Sequence, residues 1–219
     1  MIFKEIYLYP ELSDYGKDIN FPFKEQTRSL CNYLERYIKS EKYQTTNFKR
    51  VCFVGRKNPK KHNYVNSCNV LEVEFFLDEK IYLNTPKNQL NEYFISLLLT
   101  GLSKCTDEFS LPCEKIVEGI KEFKNAGYKN EWIFKKKKIK GTKIECHLKC
   151  RLTIEKFFLD LLIFNKDSLV FEKNIVTDFP NEFVFNYHLK DLKVTEQSQI
   201  EVVDKLDKIF FSMNVNDIK

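Results

Sequence analysis

The chain has 219 residues and a formal net charge of +5, and 43% of its residues are apolar and 15% aromatic. This composition supplies enough apolar side chains for a buried core, whereas disordered chains are poor in such residues. No apolar run reaches the roughly 18 residues of a membrane-spanning helix, because Asp160 interrupts the longest run, over residues 157–164. The first residues also lack a basic end followed by an apolar stretch, so we expect neither a membrane segment nor a secretion signal.

The cysteines and the basic residues narrow the class of protein further. Seven cysteines are present, an odd number without a Cys-x-x-Cys pair, so neither a disulfide framework nor a zinc site is indicated. A reducing, cytoplasmic location is therefore expected. Of the 36 basic residues, 31 are lysine and five are arginine. Lysine offers a flexible point charge rather than a bidentate contact with phosphate or guanine, so this bias argues against a dedicated nucleic-acid reader.

The first part of the chain alternates strands with one helix. The predicted elements are a strand over residues 2–9, a helix from about 22 to 39, and strands over 48–54 and 70–77. In the last of these strands, Leu71, Val73 and Phe75 alternate with glutamates, which is typical of a strand with one buried face.

A pair of helices is predicted next. Thr85 is the expected N-cap of the first helix and Pro86 its first residue, and apolar residues follow at helical spacing as far as Cys105. The second helix is expected to begin near Ser110. It should end at Ala126-Gly127, because glycine tolerates the left-handed conformation that often follows a helix.

Strands return after the helical pair. Apolar and polar residues alternate over residues 144–154, which predicts a half-buried strand. The apolar residues then move to odd positions, so we expect a bulge or a turn near Glu155-Lys156 and a hairpin loop at residues 165–168. The remaining predicted elements are strands over 169–176 and 183–189, and a last amphipathic helix that carries Ile200, Val203, Leu206, Phe210 and Met213 on one face.

These elements predict an α+β fold with antiparallel sheets. One sheet comprises the N-terminal strands and another the C-terminal meander, with a central helical pair and a C-terminal helix. A parallel sheet would need a crossover after each strand, whereas the predicted strands cluster at both ends of the chain. No repeat or low-complexity linker is present, so we expect a single domain over residues 1–219, or two lobes over 1–84 and 85–219.

Few side chains have the arrangement that catalysis requires. By alternation, His147 and His188 lie on the polar faces of their strands, and an imidazole that faces solvent has no carboxylate to orient it. Cys146 and Cys150 share a face with leucines whereas His147 points the other way, so the three cannot converge on a metal. Gly55-Arg56-Lys57 has a single glycine and does not form a phosphate-cradling loop. We therefore predict no catalytic residue, no metal site and no cofactor.

A nuclease remains as a minor alternative. Asp178, Asp191 and Lys193 faintly resemble the carboxylates and the Asp-x-Lys pair of restriction-type active sites. Because 31% of the residues are charged, such triplets also arise by chance.

Charge is distributed unevenly along the chain. Residues 121–150 contain ten lysines and three glutamates, whereas residues 178–219 contain five lysines and eight acidic residues. A strand with lysine on both faces cannot be central, so residues 134–140 are predicted at the edge of a sheet. Two interpretations remain open. The lysines have no other role than to prevent the edge from pairing with other chains, or they form a docking surface for an acidic protein or for nucleic acid. The candidate contact residues are Lys135, Lys136, Lys137, Lys138, Lys140 and Lys143.

Three aromatic residues accompany these lysines. Tyr128, Trp132 and Phe134 can stack on nucleic-acid bases, but at strand spacing such residues are more often part of a core. We therefore interpret them as core residues.

Residues from about 87 to 193 combine the helical pair, the segment Gly127-Tyr128-Lys129-Asn130-Glu131-Trp132, the alternating strand at 148–154 and the closing hairpin. In this combination the chain resembles the immunity proteins of bacterial polymorphic toxins, and in particular those of contact-dependent growth inhibition systems. The resemblance implies a cytoplasmic antidote that binds the toxin domain delivered by a sibling cell and covers an essential surface of it. Such a protein needs no active site of its own.

The positive charge departs from what is typical of these families, because inhibitors of basic nuclease toxins tend to be acidic. Either the acidic C-terminal region makes the contact, or the toxin presents an acidic face to the lysines, which is the alternative we prefer. The first hypothesis is therefore a monomeric inhibitor that forms a one-to-one complex with a toxin domain. The second is a nucleic-acid-binding module that uses the basic strand, and no membrane partner is expected.

Overall fold

The computed structural model describes residues 1–105, 107–195 and 198–217, and the chain divides into two compact units, Met1–Asn130 and Glu131–Lys219. The helices and sheets confirm the α+β class. The chain divides after Asn130 and not at the expected lobe boundary after residue 84, because the helical pair packs against elements of the first unit.

Apart from 3₁₀ turns, the described residues of the first unit form five helices and four strands. They are β1 (Glu5–Pro10), α1 (Lys17–Gln26), α2 (Arg28–Ile38), β2 (Arg50–Arg56), β3 (Tyr64–Val65), β4 (Val70–Phe76), α3 (Glu79–Asn84), α4 (Leu90–Leu102) and α5 (Cys113–Asn125). The strands form one sheet in the order β1-β2-β4-β3.

This first sheet is mostly parallel, so the prediction of antiparallel N-terminal strands was wrong. β1 pairs in parallel with β2, and β2 with β4, while β3 pairs with β4 in the antiparallel direction. The single helix expected over 22–39 is in fact two, α1 and α2, and together they form the crossover that returns the chain to the start of β2. The connection over residues 57–69 then brings β4 alongside β2.

One face of the sheet forms the core of the unit. Ile6, Val51 and Leu71 lie opposite one another on β1, β2 and β4 and are fully buried, as are Phe53 and Val73 one pair further along. The helix α4 approaches this face closely at Gly101, where a Cβ atom would lie only 2.3 Å from a ring carbon of Phe53. Glycine thus permits a helix-to-strand contact that any side chain would obstruct.

The outer edge of β1 is closed by side chains of α2. Among the described strands, β1 has a neighbour on one side only, and the backbone groups on its other side need partners. The Ile6 amide donates to Glu35 Oε1 at 2.8 Å, and Arg28 donates to the Ile6 carbonyl oxygen at 2.9 Å. Arg28 and Glu35 also form an ion pair at 3.0 Å, and the hydroxyl of Thr27 donates to the Leu8 carbonyl oxygen at 2.7 Å. These side chains take the place of a neighbouring strand.

The helical pair begins later than the sequence suggested. Asp78 caps the short helix α3 by accepting hydrogen bonds from the Lys80 and Ile81 amides, and Thr85 closes that helix instead of starting the next one. α4 begins at Leu90 after a 3₁₀ turn, and α5 begins at Cys113. The predicted end of α5 is confirmed, since Gly127 follows it with a φ of +66°.

The second unit contains two sheets that enclose one hydrophobic core. Its elements are β5 (Asn130–Lys138), which starts at the boundary residue, β6 (Ile144–Leu152), β7 (Phe157–Asn165), β8 (Ser168–Asp178), α6 (Glu182–Phe185), β9 (Asp191–Val194), β10 (Gln199–Val203) and β11 (Ile209–Asn214). The sheets have the orders β5-β6-β7-β8 and β11-β10-β9, and β6, β7 and β8 pair in the antiparallel direction. The predicted turn at Glu155-Lys156 and the hairpin loop at residues 165–168 are both confirmed.

Two predicted elements near the C-terminus were wrong. Residues 183–189, expected as a strand, form α6 and a 3₁₀ turn, because the Asn181 side chain accepts from the Phe183 amide and starts a helix. The expected last helix is the antiparallel pair β10 and β11. Asp204 accepts hydrogen bonds from the Leu206 and Lys208 amides and so fixes a tight turn in the middle of the segment that had helical spacing.

Candidate partner-binding surface

The six lysines predicted as contact residues lie on β5 and in the turn that follows it. β5 is the terminal strand of its sheet, which confirms the prediction that this part of the chain lies at a sheet edge. A turn with Gly141 at a φ of +78° leads to β6 and carries Lys140 and Lys143. We refer to Lys135, Lys136, Lys137, Lys138, Lys140 and Lys143 as the basic segment.

Within the basic segment, Lys135 differs from the other five lysines. Its ammonium group lies 3.0 Å from Asp191 Oδ1 on β9. Burial opposes ionisation of Asp191, but Lys135, the Leu192 amide and the charge of Lys137 outweigh this effect and keep the pKa of Asp191 below its ordinary value. The other five lysines are exposed and have no ion-pair partner in the part of the chain that the structure describes. They present positive charge to solvent.

The aromatic residues near the basic segment are packed rather than open. Trp132 and Phe134 lie against the core of the second unit, and the Trp132 ring centroid is 6.3 Å from that of Phe157. Tyr128 belongs to the first unit, where its hydroxyl donates to the carboxylate of Glu92 and its ring packs on Phe123. The interpretation of Trp132 and Phe134 as core residues is therefore confirmed.

The structure shows a group of exposed apolar side chains that the sequence did not predict. Phe183 is 87% exposed, Leu206 is 74% exposed and Phe179 is 65% exposed. Val184 on α6 and Tyr187 in the 3₁₀ turn that follows are also exposed. Single exposed apolar residues are common on protein surfaces, but a group of large ones usually marks an interaction site. We refer to Phe179, Phe183, Val184, Tyr187 and Leu206 as the apolar patch.

The exposure of the apolar patch follows from how α6 is anchored. Phe185 points inward and stacks on Phe157 with ring centroids 4.2 Å apart. Because successive helical residues point in different directions, this anchor directs Phe183 and Val184 towards solvent. Tyr187 comes one helical turn after Phe183 and therefore lies on the same side.

Leu206 joins the patch through the turn between β10 and β11. The Lys205 amide donates to the Tyr187 carbonyl oxygen at 2.9 Å, which holds the turn against the end of α6. The Tyr187 hydroxyl is hydrogen-bonded to Asp204, and this bond raises the pKa of Tyr187. The side chain after Lys205 thus lies beside the aromatic residues of the 3₁₀ turn.

Ion pairs connect the apolar patch with the basic segment. Lys190 and Asp207 form an ion pair at 2.6 Å between the start of β9 and the turn that carries Leu206. The next residue after Lys190 is Asp191, which pairs with Lys135 on β5. These two ion pairs therefore join β9 and the residue before it to β5 on one side of the chain and to the turn that carries Leu206 on the other.

The histidines are held differently from what the sequence suggested. The expectation that no carboxylate orients them was wrong, since His147 Nε2 lies 2.8 Å from Glu145 and His188 Nε2 lies 3.1 Å from Asp178. The other ring nitrogen of His188 is buried, without a hydrogen-bond partner among the described residues. Nδ1 of His188 is therefore shielded from solvent, and Nε2 is engaged by Asp178.

The residues of the nuclease alternative do not converge. Asp178 pairs with His188, Asp191 pairs with Lys135, and Lys193 is exposed on β9. No hydrogen bond or ion pair links the three within the described residues. Cys146 and Cys150 are both fully buried, and no cluster of three or more potential metal ligands occurs among the residues that the structure describes.

Comparison with known proteins gives no family. No family profile, no curated protein and no solved structure matches this chain. Among the described helices, none has both the length and the apolar character needed to cross a bilayer.

Proposed function

We propose that this protein acts by binding another protein, as an inhibitor of the immunity type, and that the apolar patch is the centre of the contact. The observation that carries the proposal is the exposure of three large apolar side chains, Phe179, Phe183 and Leu206, which lie just before α6, on α6, and on the turn that is hydrogen-bonded to the end of α6. Burying one such side chain in an interface contributes about 1.5–3 kcal/mol. Leaving several of them in water is unfavourable unless a partner covers them.

The surroundings of the patch support a protein partner. Stable interfaces have an apolar centre and a polar or charged rim, and aromatic residues supply much of the binding energy. Here Lys190 pairs with Asp207, the residue after Leu206, and Lys135 pairs with Asp191, the residue after Lys190. We assign these ion pairs and the five exposed lysines to the rim. An acidic surface on the partner would complement these lysines and speed association. We therefore propose a partner with an apolar pocket beside acidic residues.

The partner expected for an immunity protein is a toxin domain encoded next to its own gene. We predict that co-expression of this chain with the adjacent gene product restores growth that the product alone arrests. Purification of the two together should give a one-to-one complex in size-exclusion chromatography with light scattering. An adjacent product that arrests no growth, or a toxin that this chain neither binds nor neutralises, contradicts the proposal.

Nucleic acid is the second candidate partner, and the exposed lysines of the basic segment favour it. If all five contact phosphates, affinity for duplex DNA should fall about 500-fold between 50 and 200 mM salt, because each contact releases counterions. Fluorescence anisotropy with a labelled duplex measures this dependence. The combined variant Lys136→Gln, Lys138→Gln and Lys140→Gln should make the affinity depend less steeply on salt concentration, whereas Lys17→Gln in the first unit should leave this dependence unchanged. Absence of binding at the lower salt concentration eliminates this candidate.

A further inference from the structure

Two cysteines of the first unit lie together in a cavity. Cys105 follows the end of α4, and Cys113 is the first residue of α5. Both line a cavity of about 590 Å³, together with Tyr43, Leu102 and Leu111. Each is partly exposed, whereas Cys31, Cys52, Cys146 and Cys150 are buried. The two thiols are therefore accessible to a small molecule that enters the cavity.

The two thiols are neighbours in the lining of this cavity. The Cys105 thiol is hydrogen-bonded to Cys113, and its sulfur also lies 3.7 Å from the Gly101 carbonyl oxygen. The hydrogen bond, burial and the negative charge of Cys113 all raise the pKa of Cys105. Cys105 is therefore held in its protonated form, and the amides at the start of α5 favour negative charge on the Cys113 sulfur.

We propose that Cys105 and Cys113 form a dithiol modification site that reacts with low-molecular-weight disulfides, such as glutathione disulfide, and closes to an intramolecular disulfide. The inference is independent of the proposed function, because it concerns a different unit and a different chemistry. A dithiol of this kind responds to the thiol–disulfide balance of its surroundings.

The reaction proceeds by two exchanges of sulfur. The Cys113 thiolate attacks one sulfur of the small disulfide, forms a mixed disulfide and releases one small thiolate. Cys105 then loses its proton to the solvent and attacks the Cys113 sulfur, which releases the second small thiolate. The protein loses two electrons and two protons, and the small disulfide gains them as two thiols.

The other cysteines lack this arrangement. Cys146 and Cys150 are four residues apart on β6, which separates their Cα atoms by about 13 Å, beyond the reach of a disulfide. Cys68 is exposed and provides an internal measure of reagent access. A thiol without a second thiol in reach keeps the mixed disulfide that it forms with a small disulfide. Where a second thiol is adjacent, it displaces the small thiol from this mixed disulfide.

The test uses the full-length chain and glutathione disulfide, followed by rapid alkylation of the remaining thiols. Cleavage after glutamate separates residues 93–108, which contain Cys105, from residues 109–114, which contain Cys113. We expect mass spectrometry to find these two peptides joined by a disulfide and without glutathione, while Cys68 retains a glutathione adduct. Near-ultraviolet circular dichroism before treatment checks that each variant is folded.

The variants Cys105→Ser and Cys113→Ser test the partnership of the two thiols. The thiol that remains in either variant should retain glutathione, and Cys113 should react faster than Cys105. The variant Cys68→Ser should form the linked peptides as the parent chain does. The proposal is overturned if the parent chain keeps glutathione on Cys105 or Cys113, or leaves both unmodified, under conditions that modify Cys68 completely.

Discussion

Replacement of Glu35 by alanine is expected to lower the free energy of unfolding by about 3–5 kcal/mol, because it leaves a buried charge without its ion-pair partner. The Arg28 side chain is only 5% exposed and that of Glu35 only 14%. The substitution also removes the acceptor of the Ile6 amide, which lies at the outer edge of β1. The Arg28 guanidinium and the Ile6 amide would therefore both lose the carboxylate to which they donate.

Urea denaturation followed by far-ultraviolet circular dichroism measures this loss. Glu118→Ala is the matched control, because Glu118 is also a helical glutamate in an ion pair, with Lys115 at 2.8 Å, but its side chain is 54% exposed. Exposed pairs contribute little, so the control should cost less than about 1 kcal/mol. The double substitution Arg28→Met and Glu35→Leu should recover part of the loss, since it removes both charges. If Glu35→Ala and Glu118→Ala lower the free energy of unfolding equally, Glu35 does not stabilise the edge of β1 in this way.

This part of the fold illustrates what the sequence could not reveal. Local alternation predicted β1, β2 and β4 but not the two-residue β3, and it carries no information on whether neighbours run parallel or antiparallel. Arg28 and Glu35 lie within a segment that was correctly predicted as helical. Charged residues in such a segment ordinarily face solvent. The burial of Arg28 and Glu35 depends on the backbone of Ile6 at the edge of β1, which precedes them by 22 and 29 residues in the chain.

The candidate partner-binding surface also has one part that the sequence predicted and one part that it did not. The basic segment could be predicted at a sheet edge, because lysine on both faces of a strand is incompatible with a central position. The apolar patch was not predicted, because Phe183 was expected in a strand and Leu206 on the apolar face of a helix. Their exposure results from contacts between distant residues, namely the stacking of Phe185 on Phe157 and the hydrogen bond from Lys205 to Tyr187.

Phe183→Ala is expected to weaken binding of the partner by about 30-fold or more, which corresponds to the 2 kcal/mol or more typical of a central aromatic contact residue. The stability of the isolated chain should change by less than about 0.5 kcal/mol, because the side chain is already 87% exposed. Surface plasmon resonance with the co-expressed toxin domain measures the affinity, and urea denaturation measures the stability.

Phe21→Ala is the matched control for Phe183→Ala. Phe21 is also a helical phenylalanine, it is 61% exposed, and it belongs to the first unit. Its replacement should leave the affinity unchanged. The combined lysine variant should instead slow association with little change in dissociation, because rim charges act mainly on the rate of encounter. Phe183→Ala should mainly accelerate dissociation, since apolar contacts form after encounter. If Phe21→Ala and Phe183→Ala bind equally well, the apolar patch is not the contact surface, and the partner must be held elsewhere on the chain.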